Sequence, residues 1–163
     1  GVYRGVGYGV GIKNICFSEG FDDYSTARVR LEVIAGEPVA LVHTAGAEVG
    51  QGLITLEAQI VRTELGVERV ISHPSDNNVG SSGSSSASRQ SYMTGGAVMT
   101  ACRAIVDELF VLARKKFDVH GFMRLEGGKV VENNGAVVAA IADVLGDDVI
   151  DLTREYHHRP TTA

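Results

Sequence analysis

Surplus positive charge, a membrane-length apolar run and a spaced set of cysteines are all missing from this 163-residue sequence. A formal net charge of −5 leaves no basic footprint for nucleic acid. No stretch approaches the roughly 18 apolar residues needed to cross a bilayer. The two cysteines, Cys16 and Cys102, lie far apart among apolar neighbours and match no metal or redox spacing. They read as buried free thiols of a cytoplasmic protein, with a disulfide as the alternative. No His/Cys ligand cluster, no serine with a spaced His and Asp, no internal repeat and no signal peptide is visible. His157 and His158 sit at a strand end, where adjacent side chains face opposite ways and do not readily share a metal. The composition that remains, 44% hydrophobic and 21% charged, is ordinary for one globular domain with a real core. Because the chain opens on Gly1 rather than Met and stops just past a proline, residues 1–163 are expected to form a single domain excised from something larger.

Along the chain, apolar spacing alternates between two periods. Residues 6–17 and 26–34 repeat every two positions, with Val29, Leu31 and Val33 opposed to Arg28, Arg30 and Glu32, so both read as half-buried strands of a sheet with one wet face. A turn at Gly36, Glu37 and Pro38 leads into a strand at Val39–Thr44, antiparallel to its predecessor. Leu53, Leu56, Ile60, Val61 and Leu65 recur at three and four, predicting a helix from Gln51 to Leu65 that Gly66 ends. A short strand at Glu68–His73 follows. Val98, Ala101, Cys102, Ile105, Leu109 and Leu112 form the face of a second helix reaching Lys115. "RLEGGKVV", Arg124–Val131, is a hairpin turning at Gly127 and Gly128; Gly135–Leu145 reads as a short helix and Val149–His158 as a last strand. The expected fold is α+β: a mainly antiparallel sheet with helices packed on one side, a two-layer sandwich.

Two loops carry the candidate chemistry. "GSSGSSSASRQSYMTGGAV", Gly80–Val98, resembles a flexible spacer in its first half, yet it runs straight into the second helix. Ser86 or Ser88 could cap that helix, leaving first-turn amides near Arg89 and Gln90 free for an anion, and Arg89 has the planar fork that suits phosphate. Gly95 and Gly96 each cost a helix about 1 kcal/mol relative to Ala, so either helix packing or a ligand must need close approach there. The second loop, "AEVGQGLITLEAQ", Ala47–Gln59, sets Gln51 between two glycines before the first helix, either as a ligand contact or as a plain turn. "GVGYGVG", Gly5–Gly11, alternates strictly and lacks the G-x-G-x-x-G spacing of a dinucleotide loop.

The pair "GAEVGQG" and "GSSSASRQSYMTGGAV", in that order and separation, resembles the molybdenum-cofactor-binding region of the xanthine dehydrogenase and aldehyde oxidase family. "RGVGYGVGI" and "YHHRPT" resemble flanking family segments, so the likeness covers nearly the whole chain. It implies that Ala87, Ser88, Arg89 and Gln90 hold the phosphate or pyrophosphate of molybdopterin or molybdopterin cytosine dinucleotide, while Val49, Gly50 and Gln51 line the pterin. Ile54 departs from the pattern, since many relatives have histidine there. The family's catalytic glutamate lies in a G-x-G-E segment that this chain lacks, so the resemblance implies no catalytic residue, no direct metal ligand and no turnover here. It further implies hydroxylation of a small-molecule substrate, a purine, aldehyde or N-heterocycle, with water. The remaining domains of the molybdenum subunit and the iron–sulfur and flavin (FAD) modules would be partners, with no nucleic acid and no membrane. A phosphate- or nucleotide-binding module and a structural interaction domain are the readings from other classes.

Overall fold

The computed structural model describes residues 1–11 and 23–158. Strands β1 (Tyr24–Ile34) and β2 (Glu37–Thr44) form the expected hairpin, but the turn is one residue earlier. Ala35 and Gly36 carry it with φ of 54° and 83°, the doubly left-handed pattern whose twist matches that of paired strands. Helix α1 (Leu53–Leu65) ends on Gly66 in the left-handed region, whose N–H reaches the Arg62 carbonyl. That helix is a crossover, so β3 (Arg69–His73) lies parallel to β2, the one parallel pairing in the four-stranded sheet β3-β2-β1-β7. β7 (Ile150–His157) closes the other side, antiparallel to β1.

Between β3 and β7 come α2 (Arg89–Phe117) and a small three-stranded sheet of β4 (Met123–Glu126), β5 (Lys129–Glu132) and β6 (Val137–Ala140), followed by α3 (Ile141–Leu145). The Gly135–Leu145 segment is therefore not a helix throughout. Its first half, Val137–Ala140, is β-rich and pairs with β5, and only the last five residues are helical. The fold is α+β, as the periodicities predict. Helix α2 lies across the inner face of β1 and β7, burying Val98, Ala101, Cys102, Ile105, Leu109 and Ala113 against Ala27, Val29 and Leu31. The outer face carries Arg28, Arg30 and Glu32 with Asp151, which pairs with Arg28 at 2.5 Å. Cys102 is a buried free thiol, pushed up to about 12 by burial and by the charge of Glu64, and so inert as a nucleophile. Cys16 lies outside the described residues.

The strand expected over residues 6–17 is not seen in its described part. Residues 1–11 carry no regular structure and are exposed; the rest of that range lies outside the described residues. Its alternation is sound, but no neighbouring strand among the described residues offers a ladder to pair with.

The two helical glycines serve packing. A Cβ on Gly95 would stand 3.1 Å from Ile60 of α1, and one on Gly96 would stand 2.6 Å from the ring of Tyr156 on β7. Gly96→Ala is thus expected to lose about 1–2 kcal/mol, because displacing an aromatic ring outweighs the gain in helix propensity. A urea midpoint that stays level or rises would contradict this.

Candidate functional site

The two sequence loops meet. Backbone bonds from Ser75 N–H to Gly46 O at 3.1 Å and from Asp76 N–H to Thr44 O at 2.9 Å tie the chain leading to α2 against the end of β2. Helices α1 and α2 then start side by side, and their first turns flank a cleft of about 330 Å³. Val49, Gln51, Gly52, Leu53 and Leu56 form one wall; Ser85, Ser86, Ala87, Gln90 and Ser91 form the other. Of the seven expected site residues, Val49, Gln51, Ala87 and Gln90 share this cleft, whereas Gly50, Ser88 and Arg89 do not line it. A larger cavity of about 670 Å³ lies between the far end of α1, α2 and the β4–β5 hairpin, and neither motif reaches it.

On the first wall the chain satisfies itself. The Gln51 side chain accepts from Val49 N–H and donates to Ala47 O, both at 2.7 Å, which closes the loop. The Glu48 carboxylate accepts from Gly50 N–H at 2.7 Å, Gly52 N–H at 3.1 Å and Ile54 N–H at 3.0 Å. These amides, that of Ile54 foremost, hold Glu48 below the usual carboxylate range. The positive end of α1 is thus already neutralised by the chain's own anion. Gly46 lets the loop lie on the helix, since a Cβ there would stand 2.7 Å from Leu53 Cδ2.

The second wall is built from behind. Arg89 was expected to offer its fork to a phosphate; instead its guanidinium is 2% exposed and points into the protein. Nε donates to the Asp23 carboxylate at 2.9 and 3.1 Å, Nη1 to Ser82 O at 2.6 Å and Ser84 O at 2.9 Å, and Nη2 to Asp23 and to Tyr24 O. The Gly/Ser loop turns its carbonyls inward, and a five-donor planar group satisfies them while Asp23 balances its charge. Gly83 is required beneath it: a side chain there would collide with the guanidinium. The Gln90 carboxamide adds bonds to Ser82 O at 3.2 Å and Ser84 O at 3.3 Å, and accepts from Thr94, whose hydroxyl lies 2.9 Å from that of Ser25.

Ala87, Gln90 and Ser91, where the chain enters α2, line the cleft. Ser88 occupies the N-cap position of α2, but neither its hydroxyl nor that of Ser86 caps the helix. Arg89 N–H reaches Ser86 O at 2.9 Å and Tyr92 N–H reaches Ser88 O at 3.2 Å. The intervening amides of Gln90 and Ser91 have no backbone acceptor among the described residues. Ala87 precedes them with φ of 45°, a left-handed conformation that costs a non-glycine residue free energy and persists only where its surroundings enforce it.

Two buried acids escaped the sequence reading. Asp23 has no periodic signature. Glu57 does, because it falls four residues from Leu53 and four from Val61 on the buried stripe of α1. It is fully buried, accepts from the Thr44 hydroxyl at 2.8 Å through Oε1, and leaves Oε2 without a partner. Burial first, and then the charge of Glu48, pushes its carboxyl up to about 7. Among the described residues no group of three or more His, Cys, Asp or Glu could hold a metal ion, and no helix is long and apolar enough to cross a membrane.

The cleft thus lies between two helix N-termini, one neutralised by Glu48 and one whose Gln90 and Ser91 amides have no backbone acceptor among the described residues. Residues 1–161 match the family described as the molybdopterin cofactor-binding domain, and the chain belongs to that family. Its fold is similar to that of a reconstituted CO dehydrogenase from Oligotropha carboxidovorans, with a TM-score of 0.68 and 18% identity over 87% of this chain and 19% of that one. It is likewise similar to a Cu,Mo-CO dehydrogenase in its carbon monoxide reduced state, with a TM-score of 0.65 and 18% identity over 85% of this chain and 19% of that one. The chain thus spans only 19% of the length of these solved chains. A comparison with curated proteins found no match.

Proposed function

We propose that residues 1–163 act as one cofactor-binding domain of a larger molybdenum hydroxylase, and that the cleft between α1 and α2 seats the phosphate-bearing part of molybdopterin or its cytosine dinucleotide. The observation that carries this reading is the pair of free amides at Gln90 and Ser91 opening on a cleft whose other helix terminus Glu48 already occupies. An anion entering there meets one unsatisfied helix terminus and not two. Ala87 and Gln90 would contact it; Ser88 and Arg89 hold the loop from behind; Val49 and Gln51 form the opposite wall, toward the pterin, with Gly50 held by Glu48 outside the cleft lining. When bound, such a cofactor supplies two-electron redox chemistry at molybdenum, while the protein supplies binding and orientation. The reaction we assign to the whole enzyme is hydroxylation of an electron-poor carbon in a purine, aldehyde or N-heterocycle. Electrons would leave through iron–sulfur and flavin partners.

Ser91→Glu is the direct test, since it sets a carboxylate against the free amides. In the full-length protein the molybdenum-to-protein ratio is expected to fall at least about tenfold, with the fold intact by circular dichroism. A ratio equal to wild type would remove the cleft from the cofactor's path. A simple nucleotide bound tightly by the 163-residue chain alone would favour the nucleotide-module reading instead.

A further inference from the structure

The buried carboxyl behind the cleft is unused by anything described so far. Gly46 forms part of the partition: an atom at its Cβ position would lie 3.7 Å from Thr44 Oγ1, 3.7 Å from Gln90 Oε1 and 2.7 Å from Leu53. Gln90 and Leu53 line the cleft, and Thr44 donates to Glu57. Glu57 therefore lies behind the Gly46 partition through its bond from Thr44, with a second oxygen that has no hydrogen-bond partner among the described residues. We propose that Glu57 is a positioning residue that takes up one proton when an anionic group enters the cleft, so that seating the cofactor and protonating Glu57 are linked. The inference rests on the cleft being the anion seat.

The physical basis is charge. With both acids ionised, Glu48 and Glu57 flank the α1 side, and an incoming anion would be a third negative charge near a carboxylate that is itself fully buried. Protonation at Oε2 removes one of them while Oε1 goes on accepting from Thr44, so the wall keeps its shape. Among the described residues no cation acts on Glu57. From the first turn of α2, Arg89 is committed to Asp23, and Tyr92 packs edge-on against Tyr156. From β2 and β3, His43 and His73 stack on each other at 4.5 Å on the outer face of the sheet, with Asp76 on His43. Arg69 lies along that same strand edge, and at the other end of α1 Arg62 donates to Glu68 O while Arg103 pairs with Glu64. The one charge that acts on Glu57 among the described residues is Glu48.

By linkage, cofactor affinity should fall as pH rises through neutrality, with a dependence of at most one proton. The experiment uses the full-length protein and Glu57→Gln, which is neutral at every pH and keeps an oxygen for Thr44. Molybdenum retained after long dialysis from pH 6 to pH 8.5 is expected to drop about fivefold or more in wild type and to stay level in Glu57→Gln. Infrared difference spectra of cofactor-loaded minus cofactor-stripped protein at pH 8 should show a protonated carboxyl band in wild type that Glu57→Gln lacks. Parallel pH profiles for the two proteins, or the absence of that band, would overturn the linkage. Ser91→Glu separates the two ideas. If it keeps its molybdenum, the cleft reading fails; if it loses molybdenum while Glu57→Gln follows wild type, only the proton linkage fails.

Discussion

Asp23→Ala is expected to lose about 3–5 kcal/mol, because it removes the carboxylate that Arg89 Nε and Nη2 both bond from a guanidinium that is almost fully enclosed. In a protein whose whole stability is about 5–15 kcal/mol, that brings the fold close to its limit. Arg89→Ala should cost a similar amount by a different route, leaving Ser82 O, Ser84 O and Tyr24 O short of donors and Asp23 unpaired. The decisive variant is the double replacement Asp23→Leu with Arg89→Met, which removes both charges and keeps the volume. Burying apolar groups in place of an ion pair is often neutral or stabilising, so most of the lost stability should return in urea unfolding. Cofactor content should not return, since the inward carbonyls of residues 82–84 would keep only the longer bonds from Gln90 and the amides of Gln90 and Ser91 would lose their setting. If Arg89 instead touched the phosphate directly, Arg89→Lys would keep much of the binding; the geometry predicts that it does not, because a point charge cannot serve four acceptors in one plane.

That the two motifs belong together followed from the resemblance, which implies one cofactor for both; the residues alone left the Gln51 loop open between a ligand contact and a plain turn. Gly66, the Gly127–Gly128 turn and the α2 stripe declared themselves through spacing alone. Side-chain direction was not legible. Arg89 carries the same identity whether its fork faces a ligand or an aspartate 66 residues earlier, and only the folded path brings Asp23 beneath it. Val137–Ala140 misled for a related reason: four small apolar residues suit a helix or a strand, and β5 decided the matter by pairing. Glu57 was readable in principle, as an acid on the buried stripe, but its consequence depends on Thr44 and on an oxygen left unpartnered, which spacing does not reveal.

Glu57 also sets a pH dependence of folding that can be measured without any cofactor. Its carboxyl is raised from an ordinary value of 4.5 to about 7, so across that window the folded protein holds a proton that the unfolded chain has released. Stability must therefore fall as pH rises from about 4.5 to about 7 and level off above, by about 3 kcal/mol in total. The other shifted carboxylates act in the opposite sense and elsewhere on the scale. Asp76, held down first by Asn78 N–H, and Asp148 and Asp151, held down by Lys116 and Arg28, stabilise the fold above their ordinary range and release that contribution only in acid. Glu57→Gln removes one limb and leaves the other. At pH 5 its melting temperature should match wild type, where Glu57 is protonated and equally short of a partner for its outer atom. At pH 8 it should melt about 5–10 °C higher, because wild type must either charge a buried carboxyl or hold its proton against the solvent. Equal melting temperatures at both pH values would mean that Glu57 is ionised at no cost, and that water or a movement of α1 reaches Oε2. The sign of the difference at pH 8 thus tells whether the surroundings of Glu57 are as dry as its complete burial implies.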